Sequence, residues 1–327
     1  MKVDDRIISQ IKESNNVAIF IHTMMDSDCI GSACALKIAL EQLGKQVDIL
    51  AEDKVVSKKY LFIPEAKTIN KPKLQGYDLA IAVDVAALSK LGKESTTKFK
   101  SVDKNIKIDH HVLRVPEDNF AKLNFVKEDF SSASMIIYYL LPMLGIKEIN
   151  KDMALCLYSG ISGDTGCFRH SNTTPRDHEV AAKLMETGID SSLADWWLFK
   201  YTTAYEIALK HRVLGRFKKY VNDKMCLLYV LQKDLQETHT SMVDTESLVF
   251  AIEGVEGCEL SVVITEKNKG LFKASFRSNK TDVALKVAQS FGGGGHPKAS
   301  GCQVYGTVNT VISKIEKAAK FALDGQQ

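Results

Sequence analysis

Short apolar runs alternate with amphipathic stretches through the first half of the chain: VAIFIH (17–22), a helical pattern over about 29–43 ending at Gly44, QVDILA, LAIAVD and NIKIDHH. That alternation predicts βαβ units and a mostly parallel sheet. Helical spacing takes over from Ser131 to about Tyr220, with Thr174 as an N-cap, Pro175 at the first helical position and Gly188 as a C-terminal stop. Strand-like runs resume at MCLLYVL, CELSVVITEK and GLFKASFRS, followed by a helix over about 282–291, a glycine cluster and a last helix near 308–323. The pattern predicts an α/β protein with a mostly parallel-sheet N-terminal domain over 1–187, a helical linker over 188–214 and a smaller α/β C-terminal domain over 215–327. The linker lacks the Gly, Pro and Ser enrichment of a flexible tether. No internal repeat or low-complexity tract interrupts this order.

Composition narrows the class. A length of 327 residues favours two domains, and 45% hydrophobic with 25% charged residues is the balance of a globular protein with a sizeable core. The formal net charge of +3 is too small for the broad positive field of a protein that tracks long nucleic acid, so an anionic substrate has to be captured locally. The N-terminal MKVDDRIISQIKESNN has no apolar stretch of signal-peptide length. ASMIIYYLLPMLGI, Ala133 to Ile146, is shorter than the roughly 20 residues that span a bilayer and predicts a buried helix. Seven cysteines form no C-x-x-C pair, and a reducing cytoplasm is expected, with no membrane partner.

Five segments carry candidate chemistry. In IFIHTMMDSDCIGS an apolar strand ends at His22, a short loop offers Asp26 and Asp28, and Gly31 and Ser32 open the next helix. Ligands of open parallel sheets gather at such carboxyl ends. Two carboxylates two positions apart in a loop can point to separate metal ions, and the imidazole suits a borderline transition metal. An ordinary capped loop with a surface histidine is the plain alternative. Asp84 ends the apolar run Leu79 to Val83, where a carboxylate needs pairing, a hydrogen bond, a metal or solvent. Asp109, His110 and His111 follow another strand. There an imidazole can bind metal through one nitrogen while a carboxylate holds the other. Asp164 stands in SGISGDTGCFRHSNTT between glycines that permit close backbone approach or simply a turn after a helix. The fifth segment is FGGGGHPKASG (291–301), which can cradle an anion on its backbone N–H groups with His296 and Lys298 assisting, or can serve as a hinge. Arg277, just upstream, can offer a planar fork to phosphate or stack on a base.

In order and spacing, His22, Asp26, Asp28, Asp84, Asp109-His110-His111, Asp164 and the GGGGH loop resemble the DHH phosphoesterase family across nearly the whole chain. The final glycine motif resembles the DHH-associated C-terminal domain of nanoRNases that also act on 3′-phosphoadenosine 5′-phosphate (pAp). Met25 and Ser27 depart from that pattern, where proline, and glycine or alanine, are expected; neither removes a ligand. The resemblance implies a catalytic DHH domain in which His22, Asp26 and Asp84 hold one metal. It implies a second metal on Asp28, Asp84, His110 and Asp164, with Asp84 bridging. Asp109 then supports the ligands and His111 faces the scissile phosphate, so that Asp84, Asp109 and His111 are the catalytic set. Two divalent ions, with Mn²⁺ favoured by the mixed donors, activate a bridging water. Arg277, Ser278, Gly293, Gly294, Gly295 and His296 are the implied substrate-binding residues.

The implied activity is hydrolysis of short RNA oligonucleotides (nanoRNA) to mononucleotides and of pAp to AMP. Hydrolysis of cyclic di-AMP or linear pApA on the same site is an alternative. A catalytically inactive nucleotide- or RNA-binding module would be expected to lack a ligand, and none is missing. Two to five nucleotides suit a cleft between domains better than long strands, which disfavours processive exonuclease action. Trp196 and Trp197 are expected to pack rather than stack a base. The resemblance is compatible with a homodimer.

Overall fold

Five apolar runs lie side by side as a sheet in which every neighbouring pair is parallel. The computed structural model describes residues 3–113, 115–278 and 281–325, apart from the side chains of Val243, Glu246 and His296. The chain divides into two units, Met1–Tyr201 and Thr202–Gln327, so the expected linker 188–214 spans the division.

In the first unit the order is α1 (Asp5–Glu13), β1 (Asn16–Phe20), α2 (Ser27–Gln42), β2 (Gln46–Leu50), β3 (Leu79–Val83), α3 (Lys93–Ser101), β4 (Asn105–Asp109), β5 (Leu123–Val126), α4 (Ala133–Leu144), α5 (Lys151–Asp164), α6 (Pro175–Glu186) and α7 (Ser191–Asp195). The sheet runs β2-β1-β3-β4-β5. Its strands are apolar on both faces because both are covered. Val17, Ile19, Ile81 and Val83 join a core with residues of α2, α4 and α5. Ala18, Phe20, Ala80 and Ala82 join another with Leu91 and Phe99. Strand order reverses between β1 and β3, the place where open α/β sheets leave a crevice at their carboxyl ends.

Several boundaries differ from the sequence reading. Helix α2 starts at Ser27, because the Asp26 side chain accepts hydrogen bonds from the N–H groups of Asp28 and Cys29, both at 3.0 Å. Asp28 is therefore a helical rather than a loop residue. β1 ends at Phe20, leaving His22 in the connection, and Asp109 closes β4 instead of following it. β5 escaped detection because its LNFV alternates buried and half-buried positions over only 4 residues. The expected Pro175 helix begins where expected, with the Thr174 hydroxyl donating to Asp177, and Gly188 adopts φ +81° just past its end. Among the described residues no helix is long and apolar enough to cross a membrane.

The second unit contains α8 (Ala204–Leu214), β6 (Lys218–Tyr220), β7 (Met225–Val230), α9 (Gln232–Glu237), β8 (Leu260–Asn268), β9 (Leu271–Ser278), α10 (Val283–Gln289), β10 (Gly294–His296), β11 (Ala299–Tyr305) and α11 (Val308–Asp324). Its sheet order is β10-β11-β9-β8-β7-β6, with only β7 and β8 parallel among the pairs. The helical pattern expected to reach Tyr220 stops at Leu214 and gives way to β6. The glycine run is also not purely a loop, since Gly294–His296 pair antiparallel with Ala299–Gly301. A Cβ on Gly293 would lie 2.3 Å from the Gly301 carbonyl oxygen, and one on Gly295 2.4 Å from that of Ala299. Close approach of two backbones therefore requires glycine at both positions.

Candidate metal centre

Five of the six expected ligands come from the ends of the parallel sheet and from the start of the helix that follows β1. His22 lies two residues beyond β1 and Asp84 directly follows β3, held by its N–H donating to the Ile108 carbonyl at 2.9 Å. Asp26 caps α2, and Asp28 occupies its first turn. His110 and His111 follow β4, and Asp164 is the last residue of α5. The glycines before Asp164 lie within that helix, where they allow it to meet α2. A Cβ on Gly160 would be 2.6 Å from Asp28 Oδ1, and one on Gly163 1.8 Å from Ser27 Oγ.

Asp84 sits between two imidazoles. His22 Nδ1 is 2.8 Å from the Thr23 carbonyl, which fixes that nitrogen as the donor and turns Nε2 toward Asp84 Oδ2 at 3.4 Å and Asp26 Oδ2 at 3.6 Å. His110 Nε2 lies 3.4 Å from Asp84 Oδ1 and 3.2 Å from Asp164 Oδ2. The Asp84 side chain is 2% exposed, and among the described residues its buried Oδ1 has no hydrogen-bond donor in bonding geometry. Asp28 is fully buried and accepts from the first N–H groups of α4, those of Ala133 at 2.6 Å and Ser134 at 2.9 Å. Donor atoms of His22, Asp26, Cys29 and Asp84 lie within 4.8 Å of one another, as do those of Asp28, His110 and Asp164 and those of Asp84, Asp109, His110 and His111.

Asp109 organises the end of β4. Its Oδ1 accepts from the N–H groups of His110 at 2.9 Å and His111 at 3.3 Å and meets His111 Nδ1 at 2.8 Å, while Oδ2 faces Lys107 Nζ at 3.1 Å. The His111 ring is thereby oriented by a carboxylate.

The protonation pattern shows a buried space crowded with negative charge. Burial pushes the Asp28 carboxyl well above its ordinary range, and the adjacent Asp84 and Asp164 add to the rise. Burial likewise raises Asp164. Asp84 is held well below the ordinary range: burial opposes this, but contacts from His110 and His22 outweigh it. The same carboxylates raise His110 well above its ordinary value against its burial. His22 is raised in the same way by Cys29 and Asp26. Four carboxylates and two imidazoles are thus drawn into one buried space. This donor set, in which Asp84 Oδ1 has ion-pair neighbours but no hydrogen bond among the described residues, fits divalent cations.

The expected metal residues His22, Asp26, Asp28, Asp84, His110 and Asp164 therefore converge within the first unit. Cys29 joins them unannounced; its only signal in the sequence is its place three residues after the capping Asp26. Burial raises its thiol to about 12. The expected substrate-binding residues form a group of their own in the second unit. Arg277 lies opposite Ala299 across β9 and β11, its guanidinium 5.6 Å from the ring of Phe250. Ser278 is 3% exposed, and its hydroxyl donates to the Thr281 carbonyl at 2.6 Å, so that side chain supports the strand end. Gly293 precedes β10, Gly294 and Gly295 lie in it opposite Gly301 and Ser300, and the side chain of His296 lies outside the described residues. Phe250, half exposed in a 3-10 turn, gave no sign in the sequence.

Residues 16–161 match the DHH family, N-terminal domain. Over 306 residues the chain is 29% identical to the bifunctional oligoribonuclease and PAP phosphatase NrnA of Thermus thermophilus, covering 92% of this chain and 88% of that one. It is 25% identical over 320 residues to the protein of the same name in Bacillus subtilis, covering 96% and 98%. An exopolyphosphatase-related protein from Bacteroides fragilis shares the fold, with a TM-score of 0.89 at 23% identity over 99% of this chain and 97% of that one.

Proposed function

We propose that the chain, whose residues 16–161 match the DHH family, N-terminal domain, is a phosphoesterase, a divalent-metal-dependent hydrolase of short nucleotides. It releases mononucleotides from oligoribonucleotides of a few residues and removes a phosphate from pAp. The observation that carries this reading is Asp84, a buried carboxylate with one oxygen facing His22 and the other facing His110, beside Asp28 and Asp164, whose carboxyls burial pushes above their ordinary range. The names of the Thermus and Bacillus relatives supply the substrate class.

His22, Asp26 and Asp84 would hold one cation and Asp28, Asp84, His110 and Asp164 the other. The mixed imidazole and carboxylate donors favour Mn²⁺ over harder or softer ions. When bound, such a pair supplies Lewis-acid polarisation of phosphoryl oxygens and acidifies water near neutral pH. The chain's own part is positional. Thr23 fixes the His22 tautomer, and Asp109 orients His111 for the scissile phosphate. Asp28 is anchored by the start of α4. In the second unit, Arg277 with Gly293, Gly294, Gly295 and His296 is assigned to hold substrate phosphate and base, with Ser278 supporting the strand end.

The test supplies purified protein with tri-adenylate, pAp, pApA and cyclic di-AMP, with Mn²⁺ or with chelator. Turnover of tri-adenylate and pAp that chelator abolishes is expected. Preferential turnover of cyclic di-AMP or pApA would move the substrate to dinucleotides, and no metal-dependent turnover of any would leave a binding module.

A further inference from the structure

We propose that Lys107 is a positioning residue of the metal centre, a buried ammonium that ties the ends of β3 and β4 into one rigid frame. Lys107 sits mid-strand in β4 and is fully buried. Its Nζ lies 2.9 Å from the Ala86 carbonyl, 2.9 Å from the Asp118 carbonyl and 3.1 Å from Asp109 Oδ2, and 5.2 Å from the centre of the Phe120 ring. Two of the ammonium's three hydrogens have carbonyl acceptors, and the charge stands at ion-pair distance from Asp109 Oδ2, outside hydrogen-bonding geometry.

Burial of a charged pair is a poor source of stability: an apolar pair of similar volume generally does as well or better. The contacts therefore point to placement. Ala86 is two residues beyond Asp84, and Asp109 immediately precedes His110. The ammonium draws Oδ2 toward itself as an ion pair, while Asp109 Oδ1 accepts from the N–H groups of His110 and His111 and meets His111 Nδ1. One side chain thus links the segment bearing the shared carboxylate to the turn bearing both histidines. The Asp118 carbonyl adds the turn that follows. This inference rests on the reading of the cluster as a metal site.

Mn²⁺ binding to the purified full chain, measured by calorimetry, tests it with four proteins: wild type, Lys107→Met, Asp109→Asn and the double variant. Lys107→Met is expected to bind Mn²⁺ roughly 10- to 100-fold more weakly, the usual consequence of removing a group that orients ligands. Because this variant leaves Asp109 buried without its partner and can fail to fold, the neutral pair decides. The double variant is expected to keep the wild-type circular dichroism spectrum and to bind at least about tenfold more weakly than Asp109→Asn alone. A merely structural lysine would lower the melting temperature and leave the affinity of the folded protein unchanged. Equal affinities for Asp109→Asn and the double variant overturn the proposal while leaving the metal site intact. Absence of Mn²⁺ uptake by the wild type overturns both.

Discussion

Asp84 adopts φ +59°, a left-handed conformation that costs a residue with a side chain about 1–2 kcal/mol. The strain is located where the carboxylate must reach His22 and His110 at once. Its proposed role as a shared ligand gives a sharp expectation. Asp84→Ala should reduce metal-dependent turnover to background in a chain that still folds, read from initial rates on pAp at saturating Mn²⁺ beside a thermal melt. A near-wild-type rate would remove Asp84 from the centre. This carboxylate was legible in the sequence because it ended an otherwise apolar run. Lys107 was not: in a strand buried on both faces no alternation marks which polar residue is inside, and a lysine can extend its head to water. Cys29 was equally silent, since a buried thiol and a thiol beside ligands look alike in one dimension.

At the level of elements, the close packing of α2 on α5 decides where Asp28 and Asp164 meet. Gly31 permits it from one side, as its Cβ would come 2.4 Å from the Cys156 carbonyl oxygen. From the other side Gly160 permits it, with a Cβ 2.0 Å from Ser134 Oγ and 2.6 Å from Asp28 Oδ1. In an unconstrained helix, replacing glycine with alanine stabilises by roughly 0.5–1 kcal/mol. Here the sign should reverse. Gly160→Ala is expected to destabilise by about 1–3 kcal/mol through overpacking and to weaken Mn²⁺ binding, measured by urea unfolding and calorimetry. A stabilised variant with intact affinity would show that the helices can part without consequence for the site. The SGISGD segment left two readings open, close approach and a turn, because local sequence records the absence of side chains without saying what fills the space.

For the whole molecule, the division at Tyr201 provides a reporter. Both tryptophans, Trp196 and Trp197, lie in the first unit, which also contains all the expected metal ligands. Trp197 stacks on Phe62 with ring centres 6.3 Å apart, as packing required, whereas Trp196 remains 46% exposed. Tryptophan fluorescence should therefore follow the unfolding of the first unit, which holds the proposed metal centre. Mn²⁺ at 100 times its dissociation constant is expected to stabilise that transition by about 2.7 kcal/mol. Chelator should return it to the metal-free midpoint. A transition indifferent to Mn²⁺ would place the ions elsewhere or nowhere.

The sequence by itself determined what depends on neighbours along the chain. Buried strands were marked by apolar runs, the Thr174-Pro175 start and Gly188 stop by capping chemistry, and strand-end carboxylates and imidazoles by a break in hydrophobicity. Tertiary structure alone decided what depends on neighbours in space. It assigned each oxygen of Asp84 to a different histidine, seated Asp28 on the first N–H groups of α4, enlisted Lys107 behind Asp109 and paired the glycine run as a strand. Those outcomes follow from distances between segments far apart in the chain, and residue order carries no direct measure of such distances.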